Sequence, residues 1–329
     1  MIVKERKKPI TIHKLEALLR RLPSSHPKYS LIEGDCAKWS AGYRGEQSLD
    51  YYLDFLSERD YFILHDLRLK NGNYYFQIDT LILSAKFALI LEVKNIAGEL
   101  LFDNFNQLIR KLNNKEEGFN NPITQTKRQQ SQFNSWLALH KIFPLPVEYF
   151  IVISNAASII KTEAWNTEAF KKVCHSGEIL EKINGMDHIY QKSYISTKEI
   201  RKLIKMLLKS HQPHNHDILS VYSIERSEIM TGVQCPSCTI FPLIRKNGRW
   251  LCNSCTQKYR SAHLSALGDY FLLINDSIKN QEFRDFLHIP SRHIATQLLN
   301  SLNLPHTGTH KSRVYYQPPN FLDSLEQLN

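Results

Sequence analysis

The chain has 329 residues and carries 42 Lys and Arg against 32 Asp and Glu, a formal net charge of +10. Its hydrophobic fraction of 42% is ordinary for a globular protein, and no apolar run approaches the ~18 residues that a membrane span needs. These values exclude a membrane-spanning protein, and the length allows two or three domains. The basic start is not followed by the apolar stretch of a signal peptide, so we expect a cytoplasmic protein.

The excess positive charge is concentrated towards the two ends of the chain. Residues 1–44 carry ten Lys or Arg against four Asp or Glu, and residues 231–329 carry ten against six, whereas the stretch between them is balanced. Basic patches attract polyanions because binding releases counterions. We therefore expect a nucleic acid, with DNA favoured, as the partner. The sequence identifies no protein partner.

The N-terminal quarter predicts two helices followed by a strand. Apolar spacing indicates a short amphipathic helix over residues 9–22, which either packs on the core or lies along a phosphate backbone. Residues 24–41 are predicted to be a loop. Residues 42–59 predict a helix with Glu46 in its first turn, where a carboxylate interacts favourably with the helix dipole. Residues 61–69 then predict the first strand.

Residues 77–95 predict two apolar strands joined by a tight turn, with charges where a buried strand should have none. Side chains alternate between the faces of a strand, so Glu92 and Lys94 share one face. If the turn centres on residues 85–86, paired positions sum to 171 and Asp79 lies opposite Glu92. Facing carboxylates repel and are costly to bury, and a divalent cation removes both penalties. The alternative is an edge hairpin whose charges face solvent.

The segment after this hairpin predicts a loop, a helix and a strand. Residues 104–118 are polar and predict a loop with a turn or two of helix. Residues 124–141 predict a long helix with Gln125 in its first turn, where the amide serves as a cap or lies on the surface. Residues 147–154 are a clear apolar strand. The predicted order is therefore helix, three strands, helix, strand.

Several short motifs within residues 38–155 together resemble the nuclease-related domain (NERD) family of bacterial proteins. The residues that carry the resemblance are Gly45-Glu46, Gln77-Ile78-Asp79, Glu92-Val93-Lys94-Asn95, Gly98 and Asn121-Pro122-Ile123-Thr124-Gln125. The resemblance implies an α/β fold with a PD-(D/E)xK (restriction-endonuclease-like) core, in which helices flank a mixed β-sheet.

The resemblance also implies a catalytic set and a metal ion. The implied catalytic residues are Glu46, Asp79, Glu92, Lys94 and Gln125. Asp79, Glu92 and the Val93 carbonyl would hold Mg²⁺ or Mn²⁺, since oxygen ligands suit these cations. Lys94 would orient the nucleophile or stabilise the phosphate. Glu46 would support the metal site, and Gln125 would reach a substrate phosphate or a metal-bound water.

Four cysteines form two CxxC pairs, Cys235 with Cys238 and Cys252 with Cys255. Two such pairs can complete a tetrahedral site of four thiolates, which is typical of a structural Zn²⁺ in a zinc ribbon. A redox role for one pair is the alternative, and the presence of the second pair argues against it.

The C-terminal segment predicts three short helices followed by a turn and a strand, an order that looks like a winged helix-turn-helix. The third helix begins after Pro290, and the turn at Gly308 precedes the strand. The residues expected to contact nucleic acid are Arg292, His293 and Gln297 on the third helix, with Lys311 and Arg313 on the wing.

We therefore expect a metal-dependent nuclease that hydrolyses phosphodiester bonds of DNA. The predicted segments are a basic N-terminal segment (1–40), a nuclease-like domain (41–210), a linker (211–230), a zinc ribbon (231–262) and a helix-turn-helix-like domain (263–329). The alternatives are a non-catalytic nucleic-acid-binding protein and a protein-interaction protein, each built on a nuclease-like core.

Overall fold

The computed structural model describes residues 1–103, 105–142, 145–163 and 165–322, with the backbone alone for Lys311. Two compact units form. The first unit contains Met1–Lys8 and Ser40–His214, and the second contains Pro9–Trp39 and the chain from Asn215 onward. No helix within the described ranges is long and apolar enough to cross a membrane.

The helices lie in both units, and one of them, α2, contributes residues to each. The helices are α1 (Ile10–Arg21), α2 (Tyr29–Leu53), α3 (Pro122–Leu139), α4 (Thr167–Lys172), α5 (Ile179–Ile189), α6 (Thr197–Ser210), α7 (Ile218–Tyr222), α8 (His263–Leu273), α9 (Asn280–Leu287) and α10 (Arg292–Ser301). The start of α3 follows from its sequence, because the Asn121 side chain accepts a hydrogen bond from the N–H of Ile123 and Pro122 needs no partner there.

In the described part of the chain the strands form four sheets. They are β1 (Ile2–Lys4), β2 (Phe62–Asn71), β3 (Tyr74–Leu83), β4 (Ala88–Lys94), β5 (Glu99–Phe102), β6 (Gln107–Leu112), β7 (Lys115–Asn120), β8 (Val147–Ile153), β9 (Ile159–Thr162), β10 (Val173–His175), β11 (Ile244–Lys246), β12 (Arg249–Leu251), β13 (Lys258–Tyr259), β14 (Ser277–Lys279), β15 (His306–Thr307) and β16 (Val314–Tyr316).

The first unit is built on a mixed six-stranded sheet in the order β1-β2-β3-β4-β8-β10. β4, β8 and β10 run parallel, and β2, β3 and β4 run antiparallel. Apolar side chains of α2 and α5 pack on one face of this sheet, and those of α3 and α6 pack on the other. The predicted mixed α/β class with a sheet between helices is confirmed. A smaller sheet, β7-β6-β5-β9, accompanies it.

Two predicted loops in this region are wrong. Residues 24–41 were expected to be a loop, but α2 begins at Tyr29 and runs without a break to Leu53. Glu46 therefore lies deep in the helix and not in its first turn. Residues 104–118 were also expected to be a loop, but residues 107–120 form β6 and β7, whose positions pair from Gln107–Asn120 to Leu112–Lys115. Most of this hairpin is exposed, so it carries polar side chains on both faces and the sequence lacks the apolar alternation that predicts a strand.

The second unit has one apolar core, to which α1, α7, α8, α9 and α10 contribute together with Trp250. Inside this core the Arg21 guanidinium is fully buried and donates to Asp269 at 2.8 Å. The predicted basic segment 1–40 is thus divided, because β1 belongs to the first unit and α1 to the second. Within the predicted linker, α7 also buries Ile218 and Leu219 in the core of the second unit.

Candidate functional site

The hairpin of β3 and β4 brings Asp79 to the end of β4. The pairs from Leu83–Ala88 to Thr80–Leu91 all sum to 171, so the predicted register is confirmed. Asp79 and Glu92 follow the last pair. The Oδ2 atom of Asp79 accepts a hydrogen bond of 3.1 Å from the backbone N–H of Val93, so this carboxylate continues the contact between the strands. The role predicted for the Val93 carbonyl stays a prediction.

A local irregularity places a second aspartate at the same point of the sheet. β2 and β3 pair through His65–Thr80 and Leu67–Ile78, and the intervening Asp66 has a positive φ of 49°. This left-handed conformation is uncommon for a residue other than glycine. Asp66 thus lies beside the position of Asp79. Asp66 was not predicted as a site residue, although a charge within an otherwise apolar strand is a usable signal.

Glu92 is held by three side chains in a buried setting. Its side chain is 2% exposed, and Lys94 Nζ lies 2.6 Å from its Oε1 atom. Gln125 Nε2 donates to the same oxygen at 2.6 Å, and Gln129 Nε2 donates to Oε2 at 2.9 Å. Gln125 Oε1 in turn accepts from Lys94 at 3.3 Å. The predicted residues Glu92, Lys94 and Gln125 are therefore in direct contact.

Gln129 was not predicted as a site residue. It lies four residues after Gln125 on α3, and residues at this spacing share one face of a helix. The spacing was a usable signal, because the two amides project towards the same carboxylate.

Arg6 connects the N-terminal segment to the carboxylates of α2. Its side chain is 3% exposed, with Nη1 2.7 Å from Glu46 Oε2 and Nε 3.0 Å from Asp50 Oδ2. Its Nη2 atom donates to Thr80 Oγ1 at 2.9 Å and lies 2.8 Å from His65 Nδ1. A segment predicted to attract polyanions thus contributes a buried cation to a carboxylate cluster.

The electrostatics show that these carboxylates lie close to one another. Burial, followed by repulsion from Glu92 and Glu46, raises the pKa of Asp79 well above its usual value. Burial, followed by repulsion from Asp66, raises the pKa of Glu46 to about 7, although Arg6 opposes the shift. Burial lowers the pKa of Lys94, but attraction to Glu92, Asp79 and Glu46 together outweighs it, so the net shift of this pKa is upward.

Gly45 allows α2 to approach the strand ends closely. A Cβ atom added at this position would lie 2.5 Å from the Cβ of Asn95 and 2.6 Å from Ser154 Oγ. Both distances are too short for real side chains. The glycine before Glu46 is therefore required by packing, and it brings Glu46 to the end of the sheet.

The four predicted zinc ligands converge in the second unit. Their sulfur atoms all lie within 4.8 Å of one another, with Cys235 and Cys255 at 3.6 Å and Cys238 and Cys252 at 3.5 Å. A tetrahedron with Zn–S bonds of ~2.3 Å has sulfur–sulfur edges of about 3.8 Å, so the cluster is compatible with structural zinc. β11, β12 and β13 form the small antiparallel sheet beside it.

The residues predicted to contact nucleic acid lie around α10. Arg292, His293 and Gln297 are exposed, and Gln297 Nε2 lies 2.9 Å from His293 Nε2. Arg313 is half-buried and donates to Asn300 Oδ1 at 3.4 Å. The side chain of Lys311 lies outside the described part of the chain.

Comparison with protein-family models matches residues 41–154 to the nuclease-related domain. No curated protein and no solved structure matches the chain. The matched range contains Glu46, Asp79, Glu92, Lys94 and Gln125, whereas Arg6 and the four cysteines lie outside it. Residues 41–154 are therefore a nuclease-related domain, in a chain that also carries a four-cysteine cluster compatible with a zinc ribbon.

Proposed function

We propose that the first unit is a divalent-metal-dependent nuclease with a PD-(D/E)xK core that hydrolyses phosphodiester bonds of DNA. The observation that carries this proposal is the contact of Lys94 with Glu92 at the end of β4, with Asp79 bound to the intervening Val93 N–H. Two carboxylates and an ammonium at one strand end are costly in a buried place. They are suited to phosphate chemistry, in which negative charge must be neutralised.

The charge balance of the cluster supports a bound cation. Its described carboxylates are Glu46, Asp50, Asp66, Asp79 and Glu92, and Lys4, Arg6 and Lys94 are cations that lie among them. These carboxylates outnumber the cations, and a bound cation favours the ionised forms of Glu46 and Asp79, which burial and repulsion disfavour. Burial, with repulsion from Arg6 and Lys4, lowers the pKa of His65 to about 3, so this imidazole adds no charge near neutral pH.

Asp79 and Glu92 would hold the cation, with the Val93 carbonyl as the further ligand that the resemblance implies. Carboxylate and carbonyl oxygens are the ligands that Mg²⁺ and Mn²⁺ prefer. When bound, such a cation supplies Lewis-acid chemistry at a phosphate oxygen.

The residues of the chain have separate tasks around these ligands. Lys94 donates hydrogen bonds towards the phosphate and stabilises the charge that develops there. Gln125 and Gln129 fix the Glu92 carboxylate by donating to its two oxygens. Arg6 holds Glu46 at the edge of the cluster.

The second unit is proposed to bind nucleic acid through a zinc ribbon and a winged helix-turn-helix. The elements α8, β14, α9, α10, β15 and β16 follow the order of a winged helix, and their strands pair as β14-β16-β15. Exposed Arg292, His293 and Gln297 on α10 are the proposed groove contacts, with Lys311 and Arg313 on the wing. Ser291 is the N-cap of α10, since its hydroxyl accepts from the N–H of Ile294.

Cleavage of linear and circular DNA by purified protein tests this proposal. We expect cleavage with Mg²⁺ or Mn²⁺ and none after these ions are omitted, with zinc left in place. Products from circular DNA indicate internal cleavage, and products from linear DNA alone indicate cleavage from ends. Binding without cleavage under every metal condition would instead identify a non-catalytic nucleic-acid-binding protein.

A further inference from the structure

A cavity of about 350 Å³ lies in the first unit, between α2 and the ends of β8 and β10. Its walls include Tyr51 and Tyr52 of α2, Ser154 after β8, and His175 and Ser176 at the end of β10. Volumes from about 300 Å³ upward are typical of small-ligand sites, which combine apolar walls with a few polar groups. The described residues of the proposed nuclease site use none of these side chains.

Three polar atoms of this wall lack a hydrogen-bond partner among the described residues. They are Ser154 Oγ, His175 Nδ1 and Ser176 Oγ, and each is buried. Ser176 as a whole is 7% exposed. More than nine in ten buried polar groups have a partner in native proteins, so these three atoms are hydrogen-bonding capacity that the described residues leave unused.

The mouth of the cavity carries an exposed aromatic side chain. Tyr51 is 65% exposed, although large aromatic residues are usually buried. Its ring makes edge contacts with Tyr52 at 5.3 Å and with Phe55 at 5.4 Å, which limit its orientations. Its remaining surface faces outward. Aromatic rings held in this way are the platforms on which unpaired bases stack in single-strand-binding proteins.

The cavity and Lys94 lie at the same end of the sheet. β4, β8 and β10 are parallel neighbours in which Ile153 pairs with both Lys94 and His175. Neighbouring strands lie ~4.8 Å apart, so His175 is about 10 Å from Lys94. Ser154 also donates its N–H to the Lys94 carbonyl at 3.1 Å, which fixes the cavity wall to the site.

We propose that this cavity is a subsite for one unpaired nucleotide of the strand being cut, close to the scissile phosphate. The base stacks on Tyr51, and the Ser154, His175 and Ser176 side chains bind the polar edge of the nucleotide. A base inside a duplex cannot reach an aromatic ring in this way, so the substrate is single-stranded or frayed at this position. This inference rests on the proposed nuclease function.

Binding of the full-length protein to a 12-nucleotide single strand tests the subsite. The strand carries the fluorescent base 2-aminopurine, and the buffer contains neither Mg²⁺ nor Mn²⁺ so that the strand stays intact. The variants are Tyr51→Leu and Ser176→Ala. The matched control is Tyr74→Leu, which removes a tyrosine that is 76% exposed and does not line the cavity.

We expect Tyr51→Leu to weaken single-strand binding about tenfold and to abolish the stacking quench of 2-aminopurine. Ser176→Ala should weaken binding a few-fold without lowering Tm, because the hydroxyl that it removes has no partner among the described residues. A purely structural Ser176 would not give this combination. Tyr74→Leu should bind like the wild type. Equal binding by Tyr51→Leu and the wild type, or equal losses in Tyr51→Leu and Tyr74→Leu, overturns the subsite.

Two further measurements separate this inference from related ones. If deoxyadenosine monophosphate binds as tightly as the strand and depends equally on Tyr51, the cavity takes a free nucleotide and its assignment to the strand is overturned. Cleavage with Mn²⁺ reports on the proposed function independently. Tyr51-dependent binding without cleavage would support the subsite and contradict the proposed nuclease function. Cleavage by the wild type, together with strand binding that Tyr51→Leu does not change, would contradict the subsite and support the nuclease function.

Discussion

Arg6 Nη1 lies 2.7 Å from Glu46 Oε2, although 40 residues separate them in the chain. The guanidinium also contacts Asp50 and is almost fully buried. Arg6 lies outside the range that matches the nuclease-related domain, so the carboxylate cluster depends on a residue that the domain itself does not contain. The segment that follows β1 is therefore part of the site.

Replacing Arg6 by Ala should destabilise the first unit by about 3–5 kcal/mol, because it leaves buried carboxylates without their counter-ion. Hydrogen exchange of first-unit amides measures the loss. Arg44→Ala, which removes an exposed arginine of α2, is the control and should change stability by less than about 0.5 kcal/mol. Similar effects of the two substitutions would show that Arg6 does not neutralise the cluster.

Glu46→Gln should change the pH dependence of stability in metal-free protein. Burial and repulsion from Asp66 raise the pKa of Glu46 to about 7, above the usual 4.5. Between these values the folded state binds more protons than the unfolded state, so this group lowers stability as pH rises. Glu46→Gln lacks this pH-dependent loss. The free energy of unfolding of the variant, relative to that of the wild type, should therefore rise by up to about 3 kcal/mol from pH 4.5 to pH 8. A stability difference that is constant over this range would contradict the assignment.

Cys238→Ser should remove zinc and destabilise the second unit, since metal binding and folding are coupled in such sites. Cys235, Cys252 and Trp250 belong to the same apolar core as α8–α10, so the loss of protection should spread beyond residues 231–262. Elemental analysis should find one zinc per wild-type chain, and hydrogen exchange should find the first unit still folded. Ser254→Ala, at an exposed position between the second pair of cysteines, should keep its zinc. Wild-type protein without zinc, purified free of chelators, would rule out this site.

Arg292→Ala should weaken binding to duplex DNA and reduce its salt dependence. If Arg292 neutralises one phosphate, the slope of log K against log salt concentration should become less steep by about 0.9. Titrations of full-length protein at several salt concentrations measure the slope. Arg201→Ala, on the exposed side of α6, is the control and should leave it unchanged. An unaltered slope in Arg292→Ala would show that Arg292 of α10 does not contact the DNA.

The local parts of the site could be predicted from the sequence. The turn and the alternation of β3 and β4 determine the register, and this register brings Asp79 to Glu92. The contact of Gln125 with Glu92 was implied only by the family resemblance, because the residues alone indicate a cap or a surface amide at this position. The cysteine spacing predicts the convergence of four sulfur atoms. The register and the cysteine cluster could be predicted because each depends on residues that are close in the chain or that follow a strong sequence pattern.

The remaining parts depend on contacts that no local pattern encodes. Arg6 reaches Glu46 only because β1 pairs with β2, and a three-residue strand has too few residues to show an alternation. Asp66 reaches the site through a positive φ that interrupts a regular strand. The start of α2 was missed because residues 29–39 mix exposed apolar and polar side chains without a clear stripe.

Comparing metal binding with cleavage in two variants tests the central claim most directly. Lys94→Ala should bind Mn²⁺ nearly as well as the wild type, since an ammonium is not a ligand, but should lose cleavage by the equivalent of roughly 3–4 kcal/mol. Asp79→Ala should lose both metal binding and cleavage. Calorimetry with Mn²⁺ beside cleavage rates on the same preparations separates these outcomes. Wild-type cleavage by Lys94→Ala would contradict the account, because the activity would then arise elsewhere in the chain or from a contaminant.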